Sequence, residues 1–379
     1  MNIVVETIVK KIDGLNTDPE SFKEAIRILK SGGLVAFPTE TVYGLGGNAY
    51  DKTASERIYA AKGRPSDNPL IVHISSFEEI YPLVKKVPEE AVMLSEKFWP
   101  GPLTMILDKS DAVPKETTGG LDTVAIRMPS HPVANRLIKE AGIPIAAPSA
   151  NASGRPSTTK AEHVIEDLFG RIDMIIDGGS SDIGLESTIV DLTVSPPLIL
   201  RPGFITIEAL REVLPDIEYD KAVLKRQKDD NVVAKAPGMK YRHYAPRGEL
   251  TIFEGSFKNV AEAVKKAAED KLKAGFKVGI LTSDELFTEY ESLIYKYSGN
   301  KENIKADGNY KDSGEVIVIN IGSHKDEAAV AAGLFDALRQ FDNTRAQYIY
   351  AESFDSDNIG QAIMNRLMKA AGYHMVKAD

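Results

Sequence analysis

The sequence predicts an α/β protein made of two domains. Its 379 residues exceed the usual domain length of about 100 to 200 residues. Hydrophobic residues make up 43% of the chain and charged residues 27%, which is typical of a globular protein. Short apolar stretches alternate with stretches of helical spacing, so we expect sheets that are covered by helices.

The first helix and the first strand lead to a group of polar residues. A capping box from Thr17 to Glu20 predicts the start of the helix, and Gly32 is expected to end it. The apolar residues 34–37 then predict a short strand that stops at Pro38. Polar side chains at the exit of a strand suggest a ligand site, and three follow here: Thr39, Glu40 and Thr41.

The second helix leads into a loop that carries two cations. A capping box that begins at Thr53 opens this helix, and the glycine after Lys62 can close it. Lys62 and Arg64 are therefore expected together on an exposed exit, where arginine suits phosphate because its planar group bonds bidentately. A Lys-x-Arg sequence on a loop is usually solvated, but Pro65 and Pro69 stiffen this loop. A binding role and a solvated role are both compatible with the pattern.

Further elements complete the first domain, and polar groups again flank its strands. Predicted strands cover residues 70–74, 104–107, 124–127 and 189–192, and predicted helices cover residues 89–98 and 132–141. The loop at residues 148–154 is rich in small residues and hydroxyls, which would let a ligand approach the backbone, although a plain flexible loop has the same composition. Open α/β sheets bind ligands at the ends of strands, so we expect a site among these loops.

The apolar periodicity fades between residues 216 and 247, where charged residues crowd. A new series of strands and helices follows and resembles doubly wound folds. The predicted organisation is therefore a first domain at residues 1–215, a linker at residues 216–247, and a smaller α/β domain at residues 248–379.

The composition excludes several kinds of site. The chain has no cysteine, which removes disulfides, thiolate nucleophiles and cysteine-bound zinc. His131, His163 and His324 lack metal-ligand spacing, so no metal site is predicted on the protein. Neither a Walker A motif nor a full Gly-x-Gly-x-x-Gly motif occurs. A bound nucleotide would therefore be held by scattered cations and hydroxyls.

Charge and hydropathy limit which cellular location and which binding partners are expected for the protein. The net charge of -9 argues against a surface that is generally coated by nucleic acid, although a local basic groove remains compatible with it. Apolar runs such as residues 316–319 are far shorter than the roughly 20 residues of a membrane helix, and the acidic N-terminus has no signal-peptide pattern. We expect a cytoplasmic protein without membrane contact.

Five motifs in consistent order carry a family resemblance. They are residues 37–46 (FPTETVYGLG), 62–65 (KGRP), 99–104 (WPGPLT), 147–154 (APSANASG) and 186–191 (ESTIVD). Together they resemble the threonylcarbamoyl-AMP synthase (YrdC-like) family over about residues 7–215. Residues 241–246 (YRHYAP) and the trailing domain are similar to the longer, two-domain branch. The resemblance implies a YrdC-like open twisted mixed sheet with helices, followed by a smaller Rossmann-like α/β domain.

The resemblance also implies an activity. Members make threonylcarbamoyl-AMP and diphosphate from L-threonine, bicarbonate or CO2, and ATP. This nucleotidyl transfer is the first step of N6-threonylcarbamoyladenosine formation in tRNA. The implied cofactor is Mg2+ bound through the ATP phosphates. The implied partners are a threonylcarbamoyl transferase and, through a basic face of the fold, RNA.

The resemblance further implies a set of site residues. L-threonine is expected near Thr41, His73, Arg127, the backbone of Ala147, and Ser187. ATP is expected near Lys62, Arg64, Asn68, Thr123, Ser149, Ser157, Arg201 and Tyr244. Among these, Lys62 and Arg64 are the expected catalytic groups, and the linker with His243 and Tyr244 is expected to form a lid. Arg127 is the natural partner of the threonine carboxylate because charge-assisted pairs with arginine are strong.

Three other interpretations compete with this one. The carbamoyl-transfer module of hydrogenase maturation contains a related domain, but its cysteine-based zinc fingers disagree with a chain that has no cysteine. A double-stranded RNA-binding, translation-associated module would bind RNA without ATP turnover. A purely structural role would leave the repeated polar groups at strand exits without explanation.

Overall fold

The computed structural model describes residues 5–12, 19–224, 235–236, 243–298, 315–355 and 357–379. These residues divide into two compact units. The first unit contains the described residues up to Leu224, apart from Gly154–Pro156, together with Lys235 and Ala236. The second unit contains Gly154–Pro156 and the described residues from His243 onward. Half of the predicted linker, residues 225–234 and 237–242, lies outside the described residues.

The first unit is built on a mixed sheet of 11 strands, in the order β1-β8-β2-β3-β7-β4-β6-β5-β9-β10-β11. Both parallel and antiparallel pairs occur in it, as the predicted mixed sheet requires. The strands are β1 (Ile8–Lys11), β2 (Val35–Phe37), β3 (Gly44–Asn48), β4 (Ile71–His73), β5 (Leu103–Asp108), β6 (Thr123–Arg127), β7 (Ile145–Ala146), β8 (Met174–Asp177), β9 (Thr188–Asp191), β10 (Leu198–Arg201) and β11 (Glu218–Tyr219).

The helices of the first unit are α1 (Lys23–Lys30), α2 (Lys52–Lys62), α3 (Glu89–Phe98), α4 (Pro132–Ala141), α5 (Ala161–Leu168), α6 (Ile207–Arg211) and α7 (Lys221–Leu224), with 3-10 turns at Pro19–Ser21 and Phe77–Leu83. The predicted capping box at Thr53 is wrong. Asp51 caps α2 instead, because its carboxylate accepts a hydrogen bond of 2.8 Å from the amide of Thr53. Gly63 ends α2 in the left-handed conformation, as predicted. The capping box at Thr17 lies outside the described residues.

Alternation along the strands divides the sheet into two faces. On one face, Ala36 of β2 and Val72 of β4 enter the larger apolar cluster. On the other face, Val35 and Phe37 pack with residues of α1 and α4. The second face continues across β4 and β6 with Ile71 and other small apolar residues, and it also carries the candidate site.

The second unit contains a sheet of five strands in the order β14-β13-β15-β12-β16. All four pairings are parallel, which agrees with the predicted Rossmann-like domain. Its strands are β12 (Glu249–Gly255), β13 (Val278–Thr282), β14 (Val316–Asn320), β15 (Tyr348–Glu352) and β16 (Met375–Ala378). Its helices are α8 (Phe257–Lys273), α9 (Asp284–Phe287), α10 (Glu291–Ser298), α11 (Glu327–Thr344) and α12 (Gly360–Ala370), with a 3-10 turn at Thr288–Tyr290.

Among the described helices, none combines the length and the apolar character that crossing a bilayer requires.

Candidate active site

Three neighbouring strands place polar side chains on one face of the first sheet. Arg127 of β6 lies opposite His73 of β4 on one side and Thr104 of β5 on the other. Side chains two residues apart share a face, so Ile71 and Ala125 lie beside this row, and both belong to one small apolar cluster. The row of polar groups is therefore bordered by apolar side chains on the same face.

Arg127 makes three polar contacts within this row and the loops around it. Its Nη1 donates a hydrogen bond of 2.7 Å to Thr41 Oγ1, its Nη2 lies 2.6 Å from Glu40 Oε1, and its Nε donates to Gly101 O at 3.4 Å. Arg127 is 4% exposed. A guanidinium group buried this deeply needs such partners, because an uncompensated buried charge is strongly destabilising.

His73 lies in the same row and is neutral at physiological pH. Burial lowers the pKa of His73 to about 3, and the positive charge of Arg127 contributes to the shift. Its Nδ1 is 3.1 Å from the carbonyl oxygen of Ile71. A carbonyl only accepts, so Nδ1 carries the proton. The backbone amide of Ala147 donates to the same carbonyl at 2.8 Å, which joins two of the residues expected near L-threonine.

Ser187 joins the group expected near threonine to the group expected near ATP. Its hydroxyl is 2.7 Å from Thr104 Oγ1 and accepts a hydrogen bond of 3.0 Å from Arg201 Nη2. Arg201 Nε also donates to the backbone oxygen of Ser187 at 3.0 Å. Ser187 and Arg201 are both buried. The two predicted groups are therefore adjacent at this point.

Lys62 and Arg64 are not on an exposed exit, so that expectation is wrong. Lys62 is 3% exposed and Arg64 is 9% exposed. The Lys62 ammonium donates to the backbone oxygens of Ser149 and Asn151, the latter at 2.6 Å. Arg64 donates from Nε to Asn68 O at 3.3 Å and from Nη2 to the next carbonyl along the chain at 3.1 Å. Backbone carbonyls that converge from two loops draw both cations inward.

Three other residues expected near ATP lie on different elements of the chain. Thr123 begins β6, four residues before Arg127, which corresponds to about 13 Å along the strand. The Ser157 hydroxyl donates to Glu186 Oε1 at 2.7 Å, and both residues are buried. Tyr244 belongs to the second unit, where its ring packs 5.1 Å from that of Phe335.

The sequence assigned no role to three side chains that contact this site. Glu40 pairs with Arg127, Thr104 bonds to Ser187, and Glu186 accepts from Ser157. All three occur inside the quoted motifs, and each is adjacent in sequence to a strand end or to an assigned residue. That adjacency was the available signal, but it gives no partner. Trp99 of the WPGPLT motif is 8% exposed and donates from Nε1 to Leu103 O at 2.8 Å.

Two models of known protein families together match most of the chain. The family described as "Telomere recombination" matches residues 27–203. The family described as "Threonylcarbamoyl-AMP synthase, C-terminal domain" matches residues 205–372.

Similar proteins span nearly the whole chain. A threonylcarbamoyl-AMP synthase of Pyrococcus abyssi is 47% identical over 353 residues, which cover 93% of this chain and 94% of the relative. One of Bacillus subtilis is 46% identical and covers 96% and 97%. A crystal structure of P. abyssi Sua5 complexed with L-threonine has a TM-score of 0.86, 44% identity, and coverage of 98% of this chain and 100% of that chain. The chain therefore belongs to the threonylcarbamoyl-AMP synthase family, in its YrdC-like, two-domain branch.

Proposed function

We propose that this protein is an L-threonylcarbamoyladenylate synthase, a nucleotidyltransferase. It would combine L-threonine, bicarbonate or CO2, and ATP into threonylcarbamoyl-AMP and diphosphate. The observation that carries the proposal is the buried Arg127 guanidinium, bonded to Thr41 beside the neutral His73. The names of the relatives in P. abyssi and B. subtilis support the same activity.

In this proposal Arg127 binds the carboxylate of L-threonine. Its position at the end of β6 is fixed by Thr41 and by the carbonyl of Gly101. A planar guanidinium held in one orientation favours one orientation of the bound carboxylate. Thr41, His73, the backbone of Ala147, and Ser187 complete the proposed amino-acid site.

The first chemical step forms a carbamate. L-Threonine as its ammonium form and HCO3- give the carbamate, one water molecule and one proton, and the amine must lose its proton before it attacks carbon. The carbamate reverts readily, so a closed site that contains little water favours its onward reaction. The deep burial of His73, Arg127 and Ser187 supports such a site.

The second step transfers AMP to the carbamate. A carbamate oxygen attacks the α-phosphorus of ATP, and the bond to the β-phosphate oxygen breaks to release diphosphate. This displacement depends on positioning and charge neutralisation more than on a protein nucleophile. We propose Lys62 and Arg64 as the catalytic cations, with Arg201 beside them. Asn68, Thr123, Ser149, Ser157 and Tyr244 are the remaining proposed nucleotide contacts.

Magnesium would enter with the nucleotide. The described residues contain no group of three or more His, Asp or Glu side chains that could hold a metal ion, so the ATP phosphates and water are its proposed ligands. The ion would neutralise charge on the leaving diphosphate. This proposal assigns no protein residue to the metal.

We propose that the linker at residues 216–247, which connects the domains at residues 1–215 and 248–379, covers the site of the first domain. Ala236 supports this idea, because it is fully buried among the apolar residues of the site face, including Ile71 and Ala125. Lys235 Nζ is 3.2 Å from the buried carboxylate of Asp191. A segment that packs on this face limits access of water to it.

The proposed product would serve tRNA modification in the cytoplasm, after transfer by a partner threonylcarbamoyl transferase. A double-stranded RNA-binding module without turnover is not favoured, because relatives that cover more than nine-tenths of the chain are named as synthases. Direct RNA contact therefore forms no part of the proposed function.

The proposal is tested by pyrophosphate release from the purified protein with ATP, magnesium and bicarbonate. L-Threonine is supplied, omitted, or replaced by L-serine. We expect release that requires both L-threonine and bicarbonate. No release under any condition, or release that is independent of the amino acid, would refute the synthase activity.

A further inference from the structure

Glu40 and Arg127 form one buried electrostatic unit. Glu40 Oε1 lies 2.6 Å from Arg127 Nη2, and the two side chains are 7% and 5% exposed. Removing either partner of such a pair leaves the other charge buried without compensation. The charge of Arg127 is therefore already balanced before any ligand arrives.

His73 and His131 interact electrostatically with Glu40, and both imidazoles are uncharged at neutral pH. Burial lowers the pKa of His73 to about 3, and Arg127 contributes to the shift. Burial also lowers the pKa of His131, against the attraction of Glu40. For Glu40 itself burial acts to raise the pKa, but Arg127 outweighs this effect and holds the pKa below its ordinary value. These four side chains together carry a net charge of zero.

The carboxylate of Glu40 also retains capacity for hydrogen bonds. The backbone amides of Glu40 and Ser130 lie near enough to lower its pKa. Even so, neither oxygen accepts a well-aligned hydrogen bond from a donor among the described residues. An ionised carboxylate offers about four acceptor positions, and leaving those beyond the contact with Arg127 unfilled in the interior is unfavourable. A ligand that brings a cationic donor would fill them.

We propose that Glu40 is a specificity-determining residue that makes the site accept a zwitterionic amino acid and reject a carboxylic acid that lacks the α-ammonium group. The proposal deepens the proposed function and rests on it, since L-threonine is taken as the ligand. A zwitterion brings a carboxylate to Arg127 and an ammonium to Glu40, so the site stays neutral overall. A monoanion would bring a second negative charge to a guanidinium that Glu40 already neutralises.

The proposal distinguishes two ligands that differ in one group. (R)-3-Hydroxybutanoate has the carboxylate, hydroxyl and methyl of L-threonine but no amino group. Calorimetric titration of the full chain with each ligand, without ATP, gives the ratio of their dissociation constants. We expect wild-type protein to bind L-threonine at least tenfold more tightly than the hydroxy acid. Equal affinities in the wild-type protein would overturn the proposal without any variant.

The variant Glu40→Gln leaves Arg127 as an uncompensated cation. We expect it to bind L-threonine more weakly and the hydroxy acid more tightly, so that the ratio falls at least tenfold. A purely structural role of Glu40 would weaken both ligands by one factor and leave the ratio unchanged, and that result would overturn the proposal. Glu96→Gln is the matched control, because Glu96 is exposed on α3, and it should keep the wild-type ratio.

A second variant, Glu40→Asp, tests the proposal independently if Glu40→Gln does not fold. Glu40→Asp keeps the charge and withdraws it by one methylene group, so the preference for L-threonine should survive even if both affinities fall. Loss of the preference in Glu40→Asp would contradict the charge argument.

Pyrophosphate release tests the synthase activity and titration tests the role of Glu40, so the two proposals can fail separately. Binding with the expected ratios but without pyrophosphate release would refute the synthase and still support the role of Glu40.

Discussion

Arg201 donates two hydrogen bonds to Ser187, from Nε to the backbone oxygen and from Nη2 to the hydroxyl, each 3.0 Å long. Arg201 ends β10 and Ser187 immediately precedes β9, and these two strands are antiparallel neighbours. The pair therefore fixes the loop before β9 to the end of β10. In the proposed function it also joins the nucleotide site to the amino-acid site.

This double contact predicts that Arg201→Lys disturbs both substrates. Lysine keeps the charge but cannot reproduce two directed bonds from a planar group. We expect the KM values for ATP and for L-threonine to rise together, by about tenfold each, which corresponds to about 1.4 kcal/mol per site. Steady-state pyrophosphate release with each substrate varied in turn measures both values. A rise in one KM alone would contradict the coupling.

Arg127→Ala should instead act mainly on the amino acid. Loss of a hydrogen bond to a charged group costs about 1.5 to 3 kcal/mol, so the KM for L-threonine should rise about 10- to 150-fold while the KM for ATP changes little. The variant also leaves Glu40 buried without its partner. A denaturant titration is therefore run beside the kinetics to separate folding from binding. Equal effects on both substrates would rule out the assigned role of Arg127.

The strand and helix pattern predicted this site only in part. The strand predicted at residues 124–127 places Arg127 at the end of a strand, and the row with His73 follows only once neighbouring strands align. The position of Asp51 at the start of α2 was missed because a capping box at Thr53 fits the same letters. Local pattern narrows the start of a helix but does not choose between adjacent caps.

Contacts between residues distant in sequence account for most of what was missed. Lys62 bonds to carbonyls of Ser149 and Asn151, 87 and 89 residues later, and this turns an apparently exposed cation into a buried one. The pairing of Glu40, which follows β2, with Arg127 of β6 likewise joins segments whose strands are not neighbours in the sheet. No spacing rule within one segment encodes such partners, so residue type and strand position alone predicted a polar site but not its hydrogen bonds.

The buried, neutral His73 predicts a specific dependence of stability on pH. Its folded pKa of about 3 lies below the ordinary value of about 6.5, so the unfolded state binds the proton first as pH falls. The stability from this residue is therefore complete above about pH 6.5 and is lost progressively down to about pH 3.

Comparison of wild-type protein with His73→Gln isolates this effect. Between pH 7 and pH 5 the free energy of unfolding of wild-type protein should fall by about 2 kcal/mol more than that of the variant. Denaturant titrations at both pH values measure the difference. His131 is present in both proteins and cancels. Parallel losses in the two proteins would show that His73 is charged in the folded state.

Ala236 predicts how the linker acts on the site. The variant Ala236→Asp places a carboxylate among the apolar side chains around Ile71 and Ala125, where an unpaired charge is strongly disfavoured. Because Ala236 lies outside the regular elements, we expect its segment to leave the face while the sheet stays folded. Pyrophosphate release should fall at least tenfold with little change in the denaturant midpoint. Ala112→Asp, at an exposed position, is the matched control, and an unchanged rate in Ala236→Asp would refute a covering role.

Gly203 packs closely against the backbone on both sides of Ser187. We therefore predict that Gly203→Ala loses activity. A Cβ atom at Gly203 would lie 2.5 Å from the amide nitrogen of Thr188 and 2.8 Å from the backbone oxygen of Glu186. Backbone atoms cannot rotate away as a side chain can, so the loop between them must shift, and overpacking of this kind costs about 1 to 3 kcal/mol. The shift would displace the Ser187 hydroxyl from Thr104 and Arg201.

We therefore expect Gly203→Ala to lower kcat/KM for L-threonine at least tenfold and to lower the free energy of unfolding by about 1 to 3 kcal/mol. Gly333→Ala is the matched control. A Cβ there would have its nearest neighbour at 4.0 Å, and alanine favours the interior of α11 by up to about 1 kcal/mol. The control should be as stable as wild-type protein or more so. If Gly203→Ala kept full activity, the Ser187 loop would not need the position that Gly203 allows, and Ser187 would be a poor candidate for substrate binding.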